Sequence, residues 1–374
     1  MKFRAALIGL ILPLTLMCST AVAASAQLEA ISSAIEDVYR DLDRPDGPGC
    51  AVGYARHGEL IYARQFGMAN LEHNIPINPT TVFRIGSTSK QFVAASVALL
   101  SLQGKLELDA DIHTVLPDLP DYGTPVTIRQ MVNHSSGIPD YMQVVEAVYG
   151  DQEGNFYPSD KNREFLYRMN QLDFVPGSHY AYSNSAYVLL AQAVEAVSGQ
   201  TMREFAEEQI FAPLGMRNTH FHDNHRELVE NRADGYAKID GRWQKNNTNL
   251  EVVGDGGVFS TVEDLIIWYH NFADNRLSGG DELINLLTTP ATYSEVPAKY
   301  RDWSIDYAFG NMYLKFGGQT LFGHSGGFVG FVAAPYRILA TNEIMVSLCN
   351  YRFKGNVNRV FDSIEKIYGD TGER

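Results

Sequence analysis

Arg84-Ile85-Gly86-Ser87-Thr88-Ser89-Lys90-Gln91-Phe92 opens an apolar run that continues to Leu102, interrupted only by Ser96 and Ser101. The run predicts a buried helix reaching Gln103, with Ser87 in its first turn and Lys90 three residues on, returning to the same face. An amine so placed can take the serine hydroxyl proton, and the positive end of the helix can stabilise an oxyanion beside it. Such a lysine must be neutral, which burial beside other cationic groups achieves. The competing reading is a capping serine with a solvated lysine. S-x-x-K also recurs at Ser363 to Lys366, but that serine falls inside an amphipathic helix, where its hydroxyl faces solvent or its own backbone. Local context selects Ser87.

Two further clusters carry chemistry. Pro176-Gly177-Ser178-His179-Tyr180-Ala181-Tyr182-Ser183-Asn184 reads as a turn-rich loop before a helix over Ser185 to Ser198. Tyr182 suits proton exchange with a leaving group if nearby cations depress its phenol, and Asn184 suits a substrate amide. A second Y-x-N, Tyr269 to Asn271, lies in an apolar helix and reads as structural. The other cluster is Phe322-Gly323-His324-Ser325-Gly326-Gly327-Phe328, at the end of an expected strand. Its glycines would let a substrate backbone lie alongside, and the Gly327 amide could pair with the Ser87 amide as an oxyanion hole. The stretch also spells G-x-S-x-G. A nucleophile elbow needs an acid and then a histidine downstream, and His324 is the last histidine of the chain.

Working outward, Leu28, Ile31, Ile35, Val38 and Leu42 keep helical spacing, and Cys50 to Arg56 with Leu60 to Ala69 reads as a hairpin. The far end mirrors this: strands at Thr320 to Gly323, Gly330 to Tyr336 and Glu343 to Asn350 precede a helix with Val357, Val360, Phe361, Ile364 and Ile367 on one face. Thr127 to Gln130, Thr201 to Glu204 and Ser260 to Glu263 fit capping boxes, and Gly104 and Gly199 stand where helices should stop. The expectation is an α+β fold. An antiparallel sheet from both chain ends (27–87 and 291–374) is covered by the terminal helices and carries a mostly helical insertion (88–290), with a cleft between.

Composition narrows the function classes. The 374 residues carry 30 basic and 44 acidic side chains, and a net charge of -14 disfavours nucleic-acid binding. Lys2 and Arg4, an apolar run from Ala5 to Met17 and small residues at 21–26 read as an export signal over 1–26, with Cys18 discarded. No later run approaches the length needed to span a bilayer. The remaining chain, 27–374, is expected outside the cytoplasm, secreted or periplasmic, at a charge of about -16. Cys50 and Cys349 then read as two buried free thiols, although that compartment permits a bridge. His220, His222 and His225 read as a polar loop rather than a metal site, and the acidic runs at 109–111 and 118–121 as solvated. His134, beside Ser135 and Ser136, reads as a structural turn.

Ser87-Thr88-Ser89-Lys90, Tyr182-Ser183-Asn184 and His324-Ser325-Gly326, in that order, resemble the three motifs of the penicillin-recognising serine hydrolases: DD-peptidases, class C β-lactamases, D-aminopeptidases and related esterases. Asn133 to Pro139 and Gly256 to Thr261 resemble further family segments. The resemblance spans nearly the whole chain after the signal and implies a β-lactamase/DD-peptidase-like fold and acyl transfer through Ser87. Lys90 and Tyr182 share the role of base, and Asn184, His324, Ser325 and Gly326 bind substrate. His324-Ser325-Gly326 in place of Lys-Thr-Gly resembles the D-alanyl-D-alanine carboxypeptidase and D-aminopeptidase branch, and Asn184 tilts toward peptides. The expected substrate is a small D-amino-acid peptide; an ester, a β-lactam, or a non-turning-over binder of either β-lactam or peptidoglycan is the alternative. The added C-terminal domains of some D-aminopeptidases are not expected. No cofactor or metal is required, and oligomeric state is open. His324 is expected to titrate near neutrality as a pH-sensitive carboxylate anchor.

Overall fold

A computed structural model describes residues 14–150, 164–293, 306–353 and 355–369. Its main sheet has eight antiparallel strands from the two ends of the chain. Cys50–Arg56 (β1) and Glu59–Phe66 (β2) come from the first end. Phe83–Arg84 (β3), His220–Phe221 (β4) and Val258–Ser260 (β5) form a small separate sheet in the order β3-β5-β4. The late strands are Asp306–Ala308 (β6), Asn311–Phe316 (β7), Gln319–Gly323 (β8), Gly326–Phe328 (β9), Phe331–Ile338 (β10) and Glu343–Cys349 (β11). The main sheet runs β6-β7-β8-β10-β11-β1-β2, with β9 paired to β10.

The central strands β1, β10 and β11 are buried on both faces, which explains why Glu343 to Cys349 reads as a near-continuous apolar run. On β11, Ile344, Val346 and Leu348 join the core toward the helical middle, while Met345 and Cys349 turn to the other face. There they meet Ile31, Ile35 and Tyr39 of helix Leu14–Tyr39 (α1) and Val360 and Ile364 of the amphipathic helix Asn358–Tyr368. Helix α1 runs through the expected signal boundary at residue 26, and residues 1–13 of that signal lie outside the described residues. No described helix is long and apolar enough to cross a membrane.

The helical middle is centred on Lys90–Leu102 (α2), buried along Lys90 to Leu100 and packed against Asn184–Ser198 (α3). Capping boxes at Thr127 and Thr201 form as expected, and Gly104 and Gly199 adopt φ +69 and +74 past the ends of α2 and α3. The third cap shifts by one residue. Thr261, not Ser260, accepts the Asp264 amide at 3.3 Å, because Ser260 ends β5 and its hydroxyl is spent on Thr219 Oγ1 at 2.8 Å. Ser363 donates to the Arg359 carbonyl, its own backbone, as expected.

The cysteines overturn the free-thiol expectation. Cys50 and Cys349 are cross-strand partners on β1 and β11, with Cα atoms 4.0 Å apart, and they are joined in a disulfide across 299 residues. Two strand-like segments taken separately do not disclose that they pair, whereas directly opposed positions bring the two Cβ atoms within bridging reach. Reducing this bond, or replacing both cysteines by serine, should destabilise the fold by about 2–5 kcal/mol. Denaturant unfolding with and without reductant checks this; coincident curves would contradict it.

Candidate active site

Ser87 lies in a single 3-10 turn, Gly86–Ser89, between β3 and α2. Gly86 takes φ +53, and a Cβ there would stand 2.7 Å from the Gly327 nitrogen. Gly326 is tighter still, since its Cβ would fall 1.9 Å from the Ile85 carbonyl oxygen. Thr88 Oγ1 donates to the His324 carbonyl at 2.9 Å, and Ser89 Oγ accepts the Val258 amide at 3.0 Å. The turn that carries Ser87 is thus fastened to both sheets, and the Gly86 and Gly327 backbones lie side by side.

Lys90 is fully buried. Its Nζ stands 3.2 Å from Ser87 Oγ, 2.9 Å from Asn184 Oδ1 and 2.5 Å from the Asp255 carbonyl oxygen. The two carbonyl oxygens can only accept, so each needs a proton from Nζ. A neutral amine has two protons and one lone pair; serving both carbonyls leaves the lone pair for the Ser87 hydroxyl. Burial lowers the Lys90 pKa to about 8, with Asp255 and Asp140 opposing. The expected cationic neighbours play no part in that shift.

Asn184 opens α3 behind the capping Ser183 and hands one Nδ2 proton to Asp140 Oδ2 at 2.8 Å, which turns its Oδ1 toward Lys90. Its amide is therefore committed to Lys90 and Asp140 as well as lining the site. Tyr182 places its ring 4.8 Å from Nζ and its phenol against Ser87. The expectation of a depressed phenol fails: burial drives the Tyr182 pKa well above its ordinary value, so the group is a neutral hydrogen-bond donor.

His324 also departs from expectation. It is 3% exposed, its Nδ1 pairs with the Ser325 carbonyl at 2.6 Å, and burial together with Lys90 lowers its pKa to about 3. It is neutral near pH 7 and serves as no cationic carboxylate anchor. Tyr269 accepts the His324 amide at 3.3 Å, giving the second Y-x-N its structural use. Ser325 is hydrogen-bonded by Tyr336.

Ser87 opens onto two spaces. One is a cavity of about 140 Å3 lined by Arg84, Asn184 and Asp255 among others; the other is a groove of about 680 Å3 lined by Tyr182, Ser325, Gly326 and Phe353. Gly327 and the exposed Arg352 border both. Sequence reasoning missed Asp255, Arg84, Tyr141 and Arg352. Tyr141 donates to Asp255 Oδ2 at 2.9 Å, and Arg84 is buried with its Nε unpartnered. Asp255 immediately precedes the Gly256 to Thr261 segment, which was its available signal. His134 is a turn residue at φ +55, but a specific one. Its carbonyl accepts the Ala181 amide at 2.8 Å and its Nδ1 the Ser183 amide at 3.1 Å, bracketing Tyr182. Among the acidic decoys, Asp109 pairs with Arg129 and Asp111 caps His113.

The beta-lactamase family profile matches residues 35–362. The chain belongs to that family. The D-aminopeptidases of Brucella canis and Brucella anthropi are each 30% identical to it over 334 and 336 residues, covering 88% of this chain but 60% and 61% of those proteins. The chain thus spans about three fifths of the length of these curated relatives. Among solved structures, the octameric penicillin-binding protein homologue from Pyrococcus abyssi superposes with a TM-score of 0.76 at 26% identity, covering 90% of this chain and 76% of that one. The D-amino acid amidase from Ochrobactrum anthropi SV3, at TM-score 0.73 and 22% identity, shares the fold over 90% of this chain and 98% of its own.

In this beta-lactamase family member the neutral His324 has a measurable consequence. Its folded pKa lies below the unfolded value, so the unfolded chain binds the extra proton and stability falls as pH drops from about 6.5 toward 3. The slope from this group is about 1.4 kcal/mol per pH unit. His324→Asn should remove roughly one proton from the acid dependence of unfolding. Equal slopes for the two proteins in denaturant titrations at pH 6 and 4.5 would contradict the assignment.

Proposed function

We propose that the chain is a serine hydrolase acting through an acyl-enzyme on Ser87, with D-amino-acid amides or short D-peptides as substrates. The observation that carries it is the buried amine of Lys90, whose two carbonyl acceptors leave one lone pair for the Ser87 hydroxyl. In the forward step Lys90 takes the Ser87 proton as Oγ bonds to the substrate carbonyl carbon. The oxyanion sits against the Ser87 and Gly327 amides. Tyr182, a neutral phenol, passes its proton to the departing amine and is reprotonated from Lys90. Water then enters by the reverse relay and frees the acid.

The D-specific reading is supported by the Brucella D-aminopeptidases, by Asn184 at the second motif, and by Asp255 in the smaller cavity, a carboxylate suited to a substrate ammonium. A β-lactamase reading lacks its usual lysine at position 324, where a neutral histidine stands. An esterase, or a binder that acylates without turnover, would use the same nucleophile. We also propose that the chain is exported and loses residues 1–26. The Lys2 and Arg4 region, the small residues at 21–26 and the disulfide support this.

With a Lys90 pKa near 8, about one tenth of the amine is neutral at pH 7, so kcat/KM should rise with an ascending limb centred near pH 8. A limb centred below 6.5 would overturn Lys90 as base. Ser87→Ala should lose at least about a thousandfold in kcat. A panel of D-alanine p-nitroanilide, D-alanyl-D-alanine peptides, a fluorescent penicillin and p-nitrophenyl acetate should give the fastest turnover on a D-alanine compound. Faster ester or penicillin hydrolysis, or stable labelling without product, would replace the D-specific reading. N-terminal sequencing of protein secreted by an expressing cell should begin at Gln27; recovery of an intact N-terminus would refute export processing.

A further inference from the structure

The histidines read from the sequence as a polar loop converge in the structure. His220 opens β4 and His222 stands two residues on, so alternate residues of an extended segment put both imidazoles on one side. His220 Nε2 and His222 Nδ1 stand 3.3 Å apart, and the Glu227 carboxylate reaches to 4.0 Å from His222 Nδ1. One donor atom from each of the three residues falls within 4.8 Å of the other two. Two ligands about 2.05 Å from a tetrahedral metal stand about 3.3 Å apart, which is the spacing of the histidine pair. His222 is 3% exposed with its Nε2 buried and unpartnered, and its ring packs edge-on against Phe259 at 4.6 Å between centroids.

We propose that His220, His222 and Glu227 form a binding site for a divalent transition-metal ion of the zinc class. Two imidazole nitrogens and one carboxylate oxygen are the donor types such ions select, and calcium or magnesium would require more oxygens. Burial keeps both rings in the neutral form that coordinates, lowering His222 to about 4. Glu227 and His220 are half-buried, so the cluster is reachable from solvent, and a water would complete a tetrahedral set of ligands. Arg203 occupies the outer layer, holding Glu227 through both terminal nitrogens at 2.5 and 2.8 Å and reaching Asp223 at 3.2 Å. A carboxylate retains lone pairs beyond those that Arg203 uses, so the same group can orient a ligand oxygen. Asp223 and Glu227 together also offset the arginine charges of Arg203, Arg232 and Arg84, which act on the two histidines.

The site is separate from Ser87 yet mechanically close. The His222 amide donates to the Gly257 carbonyl at 2.8 Å, two residues after Asp255, whose own carbonyl holds Lys90. An ion here would tie β4, which pairs with β5, to the loop that carries Glu227.

The test uses full-length protein stripped with chelator and titrated with zinc chloride by calorimetry, with cobalt chloride as a spectroscopic probe. The expected result is one equivalent bound, visible absorption bands from the cobalt form, and a higher Tm with zinc. His220→Ala, at a half-exposed position, should weaken zinc at least tenfold and abolish the cobalt bands. His225→Ala, whose ring pairs with Glu251 instead, should bind as the parent does. Because His222→Ala empties a buried position, it is not the deciding variant. Absence of stoichiometric binding by the parent protein, or a His220→Ala titration matching the parent, would overturn the proposal. Neither readout depends on Ser87 or on hydrolysis.

Discussion

A single amine kept out of water organises the part of this molecule around Ser87. Lys90 is held between an amide side chain from α3 and a main-chain carbonyl at the foot of β5, and those two anchors orient its lone pair. The strand, the two helices and the loop at 254–257 all have to be in place for this arrangement. An unpaired ammonium at such depth would cost several kcal/mol, so the surrounding acceptors are a condition of folding as much as of reactivity. Asp140 and Asp255 then set how readily the amine gives up its proton, and they oppose the effect of burial rather than reinforce it.

The three motifs were legible because each places a rare combination of side chains next to a strong helix or strand signal. The α+β class followed from strands at both termini around a helical middle. What the sequence concealed were relations between distant segments. The register that sets Cys50 opposite Cys349 depends on which two strands become neighbours, and no local pattern announces it. The electrostatics of Tyr182 and His324 are hidden for a related reason. A polar side chain in a turn-rich segment suggests a partly hydrated group, whereas packed aromatic rings exclude the water that would support a charge on either residue. Asp255 and Tyr141 act at the site from segments 114 residues apart, and only folding joins them.

Several contacts fasten the site through the backbone rather than through interchangeable side chains. His134 brackets Tyr182 through the two amides that flank it, and Thr88 ties the Ser87 turn to the carbonyl of His324. Gly86 and Gly326 permit the approach of two chains that any Cβ would separate. Substitutions at these positions act on geometry first, and their effects on turnover follow from displaced amides rather than from lost chemistry.

The pairing of β1 with β11 also orders events during biosynthesis. During translation the first hairpin emerges with one long edge open, and the strand that covers it is made almost 300 residues later. The main sheet therefore cannot close on the ribosome until nearly all of the polypeptide has been made. Until then the first hairpin keeps an unpaired edge, and the cross-link that joins the two ends of the molecule forms only once both of its strands are present.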